Sequence, residues 1–205
     1  MDSYTSQETG RAEVYVQAYP GPGMKRQVSS DGGGTLIVLD ARGQVIRVVD
    51  GVDGEVEFPS DMAGLLSRAG ARLTLVHNHP ASNGLSPYDL AQLEKPGVHA
   101  VVAVGHDGSV YVAARGTAFR SGTGDANDSY GRAARAALLL QRRERDAHAR
   151  AAFDRQFHHV MALALHDARV IEYRSMLSLE RRRAFDRGAG FLSRVRGVAK
   201  TAVGK

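Results

Sequence analysis

Cysteine is absent from the 205 residues. Disulfides, thiolate metal sites and a cysteine nucleophile are thereby excluded. Any transition metal must be held by His, Asp, Glu or water. A chain without thiols also suits a reducing compartment. Long apolar runs are missing too, since none approaches the ~18 residues needed to cross a bilayer. No membrane partner is therefore expected. The opening stretch, MDSYTSQETGRAEVYV, lacks the basic and apolar regions of a secretory signal. The expected location is cytoplasmic, with export by a specialised secretion system as the alternative.

What is present suits a globular protein. Hydrophobic residues make up 43% and charged residues 24% of the chain. The length allows one compact domain, or a smaller one with an appendage. Charge is unevenly spread. Residues 1–130 hold 10 basic and 15 acidic side chains, a net of −5, whereas residues 131–205 hold 17 and 7, a net of +10. Two segments so different predict different surroundings and different roles.

Along the chain, AEVYVQAY reads as a short strand before the break at Pro20-Gly21-Pro22-Gly23. Gly32-Gly33-Gly34 reads as a turn rather than a phosphate loop, because no helix with a following Lys-Ser/Thr succeeds it. TLIVLD and VIRVVD flank ARGQ as a hairpin, and VDGEVEF is a further strand. A helix is predicted over DMAGLLSRAG with Ser60 as its cap, then a buried strand ARLTLV ending at His77. Ser86-Pro87 opens another helix, and VHAVVAVG with SVYVAA forms a last strand pair. A Gly/Ser/Thr/Asp-rich linker is expected over 116–129. Beyond it no proline occurs, and Phe153, Phe157, Val160, Ala164, Ala168 and Ile171 recur at helical spacing. Residues 130–205 therefore read as a basic helical tail of two or three helices, interrupted near Gly188-Ala189-Gly190.

The stretch LVHNHPASNGLSPYDL carries chemistry. His77 and His79 sit two apart at the exit of a buried strand, a spacing that brings both imidazoles to one ion. Asp89 lies on the first turn of the following helix, where its carboxylate reaches the same point. Two imidazoles and a carboxylate leave the fourth tetrahedral position open, the pattern of a catalytic zinc site. Ser86, one helical turn before Asp89, can aim its hydroxyl into the same pocket and steady an oxyanion. His158, His159 and His166 on the tail read as packed or solvated, and His99 and His106 receive no role.

His77-Asn78-His79-Pro80 followed by Ser86-Pro87-Tyr88-Asp89 resembles the His-x-His-Pro…Ser-x-x-Asp signature of JAMM (MPN-type) metallopeptidases. The His-Asn-His-Pro form is that of the RadC-like and phage- or toxin-associated bacterial branch. The resemblance covers roughly residues 25–115. It implies an α/β (α+β), cytidine-deaminase-like domain with a mixed sheet flanked by helices. It makes 1–24 an N-terminal segment with a short strand, and 130–205 an appended helical tail. It also implies zinc on His77, His79 and Asp89, and Ser86 supporting a tetrahedral intermediate. The reaction implied is hydrolysis of an amide or isopeptide bond, often at the C-terminus of a ubiquitin-like protein.

The chain departs from the pattern in two places. Five residues separate Pro80 from Ser86, one fewer than the family pattern. The family's general-base glutamate should begin the strand TLIVLD, where Asp31-Gly32-Gly33-Gly34 stands instead. Asp31 is the first candidate for the base, and Glu55 and Glu57 sit on a later strand. Two functions follow as expectations: a zinc peptidase or isopeptidase, or a catalytically weak JAMM-fold binding module. In the second, the basic tail docks a protein or nucleic acid. The tail's arginines read in three ways: a solvated face, a surface for nucleic acid or another acidic partner, or an arm docked on the acidic N-terminal part.

Overall fold

The computed structural model describes residues 12–16, 24–28, 34–50, 58, 60–79, 82–121 and 124–204. Strands β1 (Ala12–Val16) and β2 (Met24–Val28) form a separate antiparallel pair. The main sheet has six strands. β3 (Thr35–Leu39) and β4 (Val45–Asp50) make the expected hairpin, with Asp40 accepting from the N–H groups of Arg42 and Gln44 across the turn. β5 (Leu73–His79), β6 (Val98–Gly105), β7 (Val110–Arg115) and β8 (Ile171–Met176) complete it, in the order β4-β3-β5-β6-β7-β8. The chain is thus α+β, with a mixed sheet flanked by helices.

Every neighbouring pair in this sheet is antiparallel except β5 and β6. Parallel neighbours need a crossover, because the chain must return to the starting end of the sheet. Residues 82–97 belong to that crossover. They contain α2 (Pro87–Ala91) and a 3-10 turn at Gln92–Glu94. Ser86 caps α2 and Pro87 fills its first position, as the sequence predicts. The preceding helix is shorter than predicted. Ser60–Met62 is a 3-10 turn, α1 covers only Ala63–Ser67, and no side chain caps its start.

The predicted helical tail is corrected in one respect: it contains a strand. α3 (Asp125–Gln141) begins inside the expected linker, and α4 (Ala147–Asp167) follows it. The chain then leaves the helix at Arg169, whose φ is +62°, and β8 pairs with β7. The helical spacing that runs from Phe153 to Ile171 hid this exit, because Ile171 satisfies both the helix period and the first inward position of a strand. α5 (Leu179–Arg187) and α6 (Ala189–Val203) complete the chain, meeting at the expected glycine interruption.

One face of the sheet is buried under the helices. Leu36, Val38, Leu73, Leu75, Val101 and Ala103 share a core with Phe153, Val160, Leu165, Phe191 and Val195. The C-terminal segment therefore belongs to the same hydrophobic core as the sheet. Alternation puts Val76 and Val102 on the other face. Among the described residues, no helix is long and apolar enough to cross a membrane.

Candidate metal centre

The local fold explains why the motif residues meet. Side chains alternate along β5, so Leu73, Leu75, His77 and His79 share the helix-covered face. The two leucines anchor the core, and the two imidazoles continue that line past its edge. The backbone then turns at once, with Ser82 N–H bonding to the His79 carbonyl at 2.8 Å. Ser82 adopts φ +52° and is held on both sides. Its hydroxyl accepts from Asp107 N–H at 3.0 Å, and its carbonyl accepts from the Tyr111 hydroxyl at 3.2 Å. Leu85 is fully buried. The loop is thereby pinned, and α2 starts with Asp89 facing the strand end.

Three ligand-type side chains converge. His77 Nε2 and His79 Nε2 lie 2.8 Å apart, and Asp89 Oδ1 and Oδ2 lie 3.0 and 3.4 Å from them respectively. Ligands on a tetrahedral zinc at about 2.0–2.2 Å stand ~3.3 Å from one another, so the observed separations are already close to those an ion requires. The donor chemistry agrees. His79 Nδ1 lies 2.8 Å from the carbonyl of Asn83. A carbonyl can only accept, so Nδ1 holds a proton and Nε2 is the nitrogen left to take an ion. The residues present fit a metal ion.

Electrostatics reinforce the arrangement. Burial pushes the Asp89 carboxyl up, but hydrogen bonds and charge from His77 and His79 outweigh it and hold the group well below the usual carboxylate range. Burial pulls His79 down, yet the Asp89 bond and charge, with the Asn83 bond, leave it above its ordinary value. The carboxylate is therefore ionised at neutral pH. Ser86 has a double role in holding it. Its N–H donates to Asp89 Oδ2 at 2.7 Å, and its hydroxyl accepts from Asp89 N–H at 3.2 Å. The Ser86 O–H proton has no acceptor among the described residues.

No family model, no curated protein and no solved structure matches the chain. The site therefore rests on its own geometry. Of the residues singled out in the sequence, His77, His79 and Asp89 form the cluster and Ser86 adjoins it. Asp31, Glu55 and Glu57 lie outside the described residues. The start of β3 lies at this end of the sheet, since Leu36 pairs with His77 and Thr35 N–H donates to Asn78 Oδ1 at 2.6 Å.

Two residues of the site region were not legible in the sequence. Tyr130 of α3 and His158 of α4 hydrogen-bond to each other. Burial, then the nearby charge of Asp89, pushes the Tyr130 phenol above its ordinary value. Burial pulls His158 down, with Asp89 opposing and His79 adding to that effect. Both groups are thus electrostatically linked to the cluster from a segment some forty to seventy residues downstream. Their only signal was the His158-His159 pair, which reads equally well as packing. The packing itself is close. A Cβ on Gly84 would sit 2.9 Å from the backbone nitrogen of His159, so the site loop presses directly on α4.

Proposed function

We propose that this chain is a zinc-dependent hydrolase of the JAMM metallopeptidase kind, cleaving amide or isopeptide bonds, with a ubiquitin-like protein as candidate substrate. The observation that carries the reading is the convergence of His77 Nε2, His79 Nε2 and the Asp89 carboxylate within hydrogen-bonding distance of one another. Their placement, at a strand exit and on the first turn of the next helix, suits the cytidine-deaminase-like domain that the motif implies. Zinc held there supplies a Lewis acid and a water acidified toward neutral pH.

The chain's own residues do the rest. Asp89 keeps its charge and balances the ion. The Asn83 carbonyl fixes the His79 tautomer. Ser86 orients Asp89 through its backbone N–H and offers a free O–H proton to a developing oxyanion. Asp31, upstream of β3 in the sequence, is the first candidate for the general-base role that the family gives to a glutamate.

The test is metal analysis beside a cleavage assay on peptides, isopeptides and ubiquitin-like fusions, with and without chelator. About one zinc per chain and chelator-sensitive cleavage are expected. Asp31→Asn should slow cleavage by about 10²–10⁴-fold while leaving zinc in place. A second reading is a catalytically weak binding module whose basic segment docks a protein or nucleic acid. It is favoured by one observation: Asp31-Gly32-Gly33-Gly34 stands where the family has its general-base glutamate. Zinc uptake with no cleavage across the panel would select it.

A further inference from the structure

A cavity of about 350 Å³ adjoins the metal group through Asn83, whose carbonyl holds His79. It is lined by the site loop on one side and by α3 and α4 on the other. Its size falls at the small end of ligand-binding cavities, roughly 300–1,000 Å³. The inner wall consists of Gly84, Phe157 and His158, and the exposed Leu138 stands at the mouth. The charged lining residues, Asp154 and Arg155, are exposed, and Asp154 already accepts from the Gln141 side chain. Phe157 and Leu138 make the cavity's apolar wall, and Asn83, Asp154, Arg155 and His158 supply polar lining.

The His158 imidazole is oriented. Tyr130 and His158 Nδ1 share a hydrogen bond. The phenol is the stronger acid and imidazole the stronger base, so the Tyr130 O–H donates. The His158 proton then resides on Nε2, which has no hydrogen-bond partner among the described residues. The ring is half-buried, so this N–H faces the open side of the cavity, where an entering group can replace water. Tyr130 thus fixes which nitrogen of His158 can donate to a group in the cavity.

We propose that this cavity is the subsite for the substrate residue beside the scissile bond. An apolar side chain lodges between Phe157 and Leu138, and His158 Nε2–H donates to that residue's backbone carbonyl. The ligand class is an acylated apolar amino acid within a peptide. This inference rests on the reading of the metal group as a peptide-cleaving centre. It gives the C-terminal helices a part in substrate selection, and Tyr130 acts as a positioning residue through His158.

The test uses the full chain, zinc-free and zinc-loaded, with N-acetyl-leucine N-methylamide and N-acetyl-glycine N-methylamide as probes, followed by NMR. The leucine probe should shift the His158 side chain and the amides of Gly84 and Phe157. It should bind at least about ten-fold more tightly than the glycine probe, which buries no side chain. His158→Ala should weaken the leucine probe by about five- to ten-fold, the loss of one hydrogen bond. Leu138→Ser, on an exposed position that the fold does not need, should weaken it as well and decides the matter if His158→Ala does not fold. Equal binding of the two probes, shifts confined to residues outside the cavity, or wild-type affinity in Leu138→Ser would overturn the proposal. Probe binding in a protein that takes up no zinc supports the cavity and overturns the hydrolase reading alone. Zinc uptake without probe binding overturns the cavity and leaves the hydrolase reading in place.

Discussion

The end of β5 and the middle of α4 each carry two histidines, and the backbone sends the two pairs in opposite ways. His77 and His79 are separated by one residue on a strand, so both point to the same face and their Nε2 atoms meet at 2.8 Å. His158 and His159 are adjacent on a helix, where successive side chains diverge by about 100°. His158 turns to Tyr130 and the cavity. His159 turns into the core, where it is 5% exposed and its Nδ1 lies 2.8 Å from the Tyr173 hydroxyl. Proximity in sequence gathers ligands only when it matches the period of the backbone.

The largest effect is expected on removing the convergent pair. His77→Ala with His79→Ala should take the protein from about one zinc per chain to background, read by metal analysis after dialysis. The double variant should stay folded, because both rings lie at the edge of the core. Full retention of zinc would show that the convergence is not a metal site.

The divergent pair should show itself in stability instead. Burial, with the charges of Arg196 and Arg181, pushes His159 down to about 4. Below the ordinary imidazole value, the unfolded chain takes up a proton that the folded chain refuses. Stability from this group is therefore fully present above about pH 6.5 and falls as the pH drops toward 4, by about 3 kcal/mol in total. Urea unfolding at pH 7 and pH 4.5 measures it. His159→Gln should flatten that part of the profile, and an unchanged slope would mean that the ring is not the source.

A smaller effect joins the two regions. Gly84→Ala places a methyl group against the His159 backbone nitrogen at 2.9 Å. Loop and helix must part, at a cost of about 1–3 kcal/mol, and the shift carries Asn83 away from His79. Zinc affinity should fall by about ten-fold or more, measured by competition with a chelating dye. The smallest effect is expected from Ser86→Ala. It removes the α2 cap and costs about 1 kcal/mol with zinc retained, while cleavage slows. Loss of zinc in that variant would make the Ser86 contacts part of the metal site's own support.

Legibility followed the same division. Strand β5, the turn after it and the cap of α2 are local features, and His77, His79, Ser86 and Asp89 lie within thirteen residues. Periodicity, a capping serine and Pro87 sufficed to bring them together. β8 was not legible, because IEYRSM is short and its first residue continues a helical stripe. Its strand state comes from the open edge of β7, which only the folded sheet supplies. The linker expected over 116–129 was read from composition, yet α3 starts at Asp125 within it. Tertiary contact overrides weak local preference there, as Ala126, Tyr130 and Ala133 find the core.

The sequence by itself determined the candidate metal-ligand set, because a strand's two-residue period and a helix's first turn act over short range and need no distant partner. It also determined what the site lacks: no thiolate can take part. Tertiary structure alone decided what stands around those ligands. Tyr130 and His158 come within range of the Asp89 charge because α3 and α4 pack on the same face of the sheet that carries His77 and His79. That packing is driven by burial of apolar surface, which has no direction along the chain. Which side chains it brings beside the site is therefore settled by the whole core and cannot be read from any one segment.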